Sequence, residues 1–156
     1  MRKSVAEGLF NSALSYCLPL FGGLDLNSIQ EIQILQNKAA RIVCRAPPRA
    51  SRIEMFRKLG WFTVNQLITY YSLMCLFRIR ISREPEYLSD LLTRDSRNGR
   101  ITILRQNLTL SSQSFCVRGP NSWNQLPSEL RQEERISVFK TNVKKWISAN
   151  IEPFLD

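Results

Sequence analysis

Apolar residues recur at helical spacing along most of the chain. Val5, Leu9, Ala13 and Tyr16 follow one another three or four residues apart, with Leu14 and Cys17 widening the stripe. Pro19 and Gly22-Gly23 close this first helix. A second helix runs from about Asn27, a good N-cap residue, to Cys44, with Ile29, Ile32, Leu35, Ala39, Ile42 and Val43 as its apolar face. Ala46-Pro47-Pro48-Arg49-Ala50 is a stiff break, because the residue before each Pro is pushed out of helical geometry. Ser51 and Glu54 then have the spacing of a capping box, opening a short helix with Ile53, Phe56 and Leu59 that stops at Gly60. Thr63 and Gln66 form another such pair. The helix they open carries Val64, Leu67, Ile68, Tyr70, Tyr71, Leu73, Met74, Leu76, Phe77 and Ile79 on nearly every side. A helix apolar all round must be surrounded, so this one is predicted to be the centre of a bundle, with Trp61-Phe62 at its entry.

After Pro85 the pattern weakens. Glu86–Leu92 supports one short turn or helix, and Thr93–Arg100 reads as a polar loop. Ile101–Leu104 and Asn107–Leu110 are short β-prone pieces that could pair as a hairpin or pack extended on the helices. Ser114–Pro127 is turn-rich yet aromatic. Gly119-Pro120 is expected to stop any regular element, and Phe115 and Trp123 to tether the resulting loop to the core. A last helix follows, opened by Ser128 or Ser137 and ended by Pro153, with Phe139, Val143, Trp146 and Ile147 inward and Lys140, Lys144 and Lys145 outward. The predicted fold is mainly α: a small bundle of about five helices, a short extended or hairpin segment and a Gly-Pro/Trp tethering loop. Its parts are a bundle over 1–92, the polar loop, extended segment and tether over 93–136, and a C-terminal helix over 137–156.

Charge adds a partner class to this picture. The 156 residues carry 22 Lys and Arg against 13 Asp and Glu, a formal net charge of +9, while 44% hydrophobic residues argue against disorder. Between Lys38 and Lys58 the only acid is Glu54. In the second helix Lys38, Arg41 and Arg45 stand at i, i+3 and i+7 and so share a face, which Gln30, Gln33 and Asn37 are expected to extend with uncharged hydrogen-bonding groups. Cations backed by amides suit a phosphate backbone, so Lys38, Arg41, Arg45, Arg49 and Arg52 are the expected nucleic-acid contacts, with Gln33 and Asn37 as neighbours. An ordinary solvated helix face is the competing reading. For Arg78, Arg80 and Arg83 the choice is between pairing with the negative end of the helix dipole and contacting phosphate.

Candidate chemistry is sparse. There is no His, and Cys17, Cys44, Cys75 and Cys116 are too far apart for a metal-ligand pattern, so neither a metal site nor a cofactor is expected. Buried reduced thiols are the expected state of Cys17, Cys44 and Cys75. No Walker-type loop, nucleophile–base triad or Tyr-x-Asp-Asp pair for two-metal nucleotidyl transfer is present, and no catalysis is expected. No stretch reaches membrane-spanning length, and polar residues interrupt the segment after Met1-Arg2-Lys3. An intracellular protein, nuclear or cytoplasmic, is expected, which leaves Asn107-Leu108-Thr109 unglycosylated.

Ser114-Phe115, Gly119-Pro120, Trp123-Asn124 and Leu126-Pro127, then Ser137, Phe139-Lys140 and Lys144, together resemble the end of non-LTR (LINE-type, jockey-like) retrotransposon polyproteins, whose tail reads SFxxxGPxxWNxLP. Val117 stands where that family usually has an aromatic. Ser15–Gly22 is similar to the family's segment after the polymerase palm, with Phe21 in place of Trp. The run Gln36-Asn37-Lys38-Ala39-Ala40-Arg41-Ile42 is similar to a thumb helix. The resemblance implies the thumb and tail of an RNA-directed DNA polymerase (reverse transcriptase) without its catalytic palm. It further implies a helix lying against the template–primer duplex and the parent palm as a second partner. The zinc knuckle of many such elements is absent. A polymerase fragment, a free-standing nucleic-acid-binding module and a protein-interaction domain docking through the Phe115/Trp123 loop all remain open.

Overall fold

The structure is a computed structural model describing residues 2–8, 12, 16, 18, 25–91, 94–95, 98–102 and 114–151. Several expectations fall on positions outside the described residues: most of the first helix after Gly8, Cys17, the Pro19–Gly23 stop, Asn107–Leu110 and Pro153. Among the described residues there are eight helices and one pair of two-residue strands. In chain order the helices are α1 (Arg2–Ala6), α2 (Leu26–Cys44), α3 (Arg52–Leu59), α4 (Val64–Ser82), α5 (Glu86–Leu91), α6 (Phe115–Asn124), α7 (Ser128–Gln132) and α8 (Ile136–Asn150). The strands β1 (Arg94–Asp95) and β2 (Arg100–Ile101) pair antiparallel, Arg94 opposite Ile101. The protein is thus a mainly α bundle.

The apolar helix α4 is its centre. Thr63 and Gln66 make the full reciprocal capping box at its start, and Arg83, in the left-handed region, ends it. Leu73, Leu76, Phe77 and Ile79 are buried with Trp123, Leu126, Phe139, Val143 and Ile147 in the largest core cluster. Phe77 stacks on Phe139 with ring centroids 4.3 Å apart, and Trp123 lies 5.7 Å from the same ring. Helices α6 and α8 therefore seal α4 along one side. On the other side Val64 and Ile68 meet Ile29 of α2 and Leu18. The Gln66 side chain, besides capping α4, donates to the Ile151 carbonyl at 2.9 Å and so ties the start of α4 to the end of α8.

Three expectations are corrected. First, the Gly-Pro segment is not a loop. Phe115–Asn124 within it folds as α6 with Gly119 and Pro120 inside the helix, and Gly119 is not among the residues of positive φ. Proline within a helix removes the bond to the carbonyl four residues back and costs about 3 kcal/mol in an open helix. Here Gly119, Pro120 and Trp123 are all buried against α4, and that packing outweighs the propensity.

Second, strand pairing begins earlier than the β-prone residues suggest. The hairpin occupies part of the expected polar loop, turning through Gly99, whose φ of +61° lies in the left-handed region that glycine adopts most readily. Asn124 fixes it: its side chain accepts from Ile101 N–H (2.9 Å) and donates to Ile101 C=O (2.8 Å), as a neighbouring strand would. Trp123 Nε1–H donates to the Gly99 carbonyl at 2.9 Å.

Third, the apolar face of α2 is rotated. Ile29 and Ala40 are buried, but Leu35 is 54% and Ile42 71% exposed. The helix starts at Leu26 with Asp25, not Asn27, as N-cap. Steps of three residues fall short of a full turn by about 60° each. The series Ile29, Ile32, Leu35 therefore winds off the buried side. Val5 of α1 likewise points outward, at 53% exposed, while Ala6 packs on the α2–α3 cluster.

Candidate nucleic-acid interface

The basic segment is built by two helices and the connector between them. Ala40, Phe56, Leu59 and Trp61 form a small core with Ala39, Val43 and Cys44 packed beside it, and this holds α2 against α3. Arg45 ends α2 in the left-handed region with φ 51°, donating its N–H toward Arg41 and Ile42 carbonyls. The Pro47-Pro48 connector closes on itself through Ala50 N–H to the Pro47 carbonyl, at 3.0 Å. Ser51 then accepts from Glu54 N–H at the start of α3. Only that half of the expected capping box is made, and Gly60 (φ 68°) terminates the helix.

Lys38, Arg45, Arg49 and Arg52 are exposed along this elbow, and Lys38, Arg45 and Arg49 have no ion pair among the described residues. Arg41 is half-buried, its Nε enclosed without a hydrogen-bond partner. Arg57 and Lys58 add exposed cations on the last turn of α3. Glu54, also exposed, is the one acid between Lys38 and Lys58.

Gln33 and Asn37 do not join that face. Gln33 Nε2 donates to Gln36 Oε1 and to Asn37 Oδ1, both at 3.0 Å, while its Oε1 accepts from Val64 N–H at 2.9 Å. Gln36, fully buried, donates to the Phe62 carbonyl at 2.9 Å. These amides satisfy the first, otherwise orphaned donor of α4 and a carbonyl of the connector before it. They are structural, and the cations stand without their support. The three charges of α2, Glu31, Lys38 and Arg41, and Arg45 just past its end occupy one arc, and the opposite arc, which holds the buried Gln36, is charge-free.

The tail residues are structural as well. Phe115 is half-buried beside the core, Gly119, Pro120, Trp123 and Leu126 are buried, and Pro127 caps α7. Arg80, left open between dipole and phosphate, turns inward. Its two terminal nitrogens donate to the Arg131 and Glu133 carbonyls, and its guanidinium lies over the Phe77 and Trp123 rings at 5.3 and 6.0 Å. Burial pulls its pKa below the ordinary value, against the opposing pull of Glu134 and Glu133. Arg80 is thus the C-terminal cap of α7, and sequence reading missed that role.

Among the described residues no group of His, Cys, Asp and Glu is placed to hold a metal ion, and no helix is long and apolar enough to cross a membrane. Cys44, Cys75 and Cys116 are free and half-buried, and burial pushes the Cys75 thiol up from its ordinary pKa. Comparison with protein-family models, with curated proteins and with solved structures finds no match for the chain.

Proposed function

We propose that the protein is a non-catalytic nucleic-acid-binding module that grips a sugar–phosphate backbone through the α2–α3 elbow. The observation that carries this reading is the exposure of Lys38, Arg45 and Arg49, which have no ion pair among the described residues, along the second half of α2 and the two-proline connector that follows it. Unpaired, pre-positioned cations release condensed counterions on meeting a polyanion, which favours binding without base recognition. The resemblance of the Ser114–Pro127 and Gln36–Ile42 segments to non-LTR retrotransposon tails supports a derivative of an RNA-directed DNA polymerase, with a template–primer duplex as ligand. No catalytic constellation is assigned to the chain, and the parent palm would be a second partner.

The test is the salt dependence of binding to an RNA–DNA hybrid, with duplex DNA and single strands as comparators. The triple variant Lys38→Ala/Arg45→Ala/Arg49→Ala should bind more weakly to every sequence and lower the log–log salt slope by roughly 2–3. An unchanged slope in that variant removes the elbow from the interface. Gln33→Ala, in contrast, should leave the slope of the folded protein unaltered.

A further inference from the structure

The outer arc of α2 carries more than charge. Ile34 (47% exposed), Leu35 (54%) and Ile42 (71%) stand on the same arc as Lys38 and Arg45. Leu35, Lys38, Ile42 and Arg45 follow one another at i, i+3, i+7 and i+10, so aliphatic and cationic side chains alternate along one seam. Ile53 on α3, 48% exposed, is a further uncovered aliphatic beyond the elbow. A sugar–phosphate backbone uses the cations of this seam and leaves its aliphatic residues in water. A second copy of the chain matches the aliphatics but sets Lys38 and Arg45 against their own kind, in a protein of net charge +9. An acidic amphipathic helix satisfies both from Leu35 onward, laying Leu or Ile over Leu35 and Ile42 and carboxylates over Lys38 and Arg45, with an uncharged or basic residue opposite Glu31, the exposed acid one turn before Leu35.

We infer that the exposed α2 seam is a docking surface for an acidic amphipathic helix of a partner protein. The inference goes beyond nucleic-acid binding and does not depend on it, because its distinguishing residues, Leu35 and Ile42, are ones a phosphate backbone does not use. Since Lys38 and Arg45 belong to both surfaces, the helix and a nucleic acid compete for the protein.

The experiment uses the full chain and a labelled, helix-forming peptide of three heptads with Leu at one seam position and Glu at the other. A scrambled peptide of equal composition and charge is the comparator, and fluorescence anisotropy is the readout. Saturable binding is expected, at least tenfold tighter than for the scrambled peptide. The double variant Leu35→Gln/Ile42→Gln should lose about tenfold in affinity for the heptad peptide, since two aliphatic side chains no longer leave water. Its circular dichroism spectrum and its hybrid binding should be unchanged. Equal binding of scrambled and heptad peptides, or equal binding by the double variant, would overturn the proposal. Self-association of the wild type in sedimentation that the double variant abolishes would assign the seam to a second copy instead. Loss of hybrid binding in the Lys38/Arg45/Arg49 variant bears on the nucleic-acid reading alone, so the two can fail separately.

Discussion

A Cβ added at Gly119 would stand 3.2 Å from Leu76 Cδ1 and 3.4 Å from Phe115 Cε2. Leu76 is 2% exposed within the main core and has little room to yield. Two effects therefore compete in Gly119→Ala. Alanine gains about 1 kcal/mol of helix propensity, while overpacking a core contact costs about 1–3 kcal/mol. The tight contact is with a buried side chain of the central helix, so the second effect wins and Gly119→Ala should lower stability by about 1 kcal/mol. Urea denaturation followed by tryptophan fluorescence measures this, and a gain in midpoint would show that α4 can move aside. Asn124 works at the same scale. Its amide supplies one donor and one acceptor to Ile101, a pairing that neither Asp nor Leu can copy.

Between elements, the coupling of α2 to α4 runs through amides as well as aliphatic contacts. Gln33 accepts from the first N–H of α4 while holding Gln36 and Asn37, and Gln36 reaches the Phe62 carbonyl. Such a network costs stability when half satisfied. Gln33→Ala should destabilise the protein by roughly 1–3 kcal/mol, the cost of leaving the Val64 N–H and two neighbouring amides short of partners. Amide exchange at Val64 should accelerate with it. Unchanged protection at Val64 would mean that water replaces Gln33 without loss. At the other end of the bundle the Glu133 carboxylate accepts from the N–H groups of Arg135 and Glu134 just before α8. The Arg135 N–H leads the causes that draw its pKa below the ordinary carboxylate value.

For the molecule as a whole, Phe139 is the residue on which separate parts converge. It is fully buried, stacks on Phe77 of α4 and neighbours Trp123 of α6, whose Nε1–H reaches the hairpin at Gly99. Phe139→Ala should cost about 3–5 kcal/mol, as for other fully buried aromatics. Helix content and Trp fluorescence should still fall together in one urea transition. Separate transitions would show that α6, α8 and the hairpin form a unit that unfolds apart from α2 and α3. The elbow cations are far from this core along the chain, so their substitution should change binding and leave the midpoint near the wild-type value.

Helix content, the central place of α4, the Thr63/Gln66 cap and the stop at Gly60 were all determined by local sequence. Each depends on propensity, spacing or a cap within a few residues. The inward turn of Gln33 and Asn37, the outward turn of Leu35 and Ile42, and the helix through Gly119-Pro120 were decided only by tertiary structure. The reason is physical. A helix has one buried side, and which arc faces inward depends on the partner's shape and its unpaired backbone groups, here the Val64 N–H and Phe62 carbonyl. A proline's local cost can likewise be outweighed only by contacts its helix makes with residues distant in sequence, here Gly119 beside Leu76 and Trp123 beside Phe139. The exposure of Lys38, Arg45, Arg49 and Arg52 was legible from the sequence because a charged side chain is rarely buried without a partner, whereas the half-burial of Arg41 and the inward turn of Arg80 were again decided by tertiary structure.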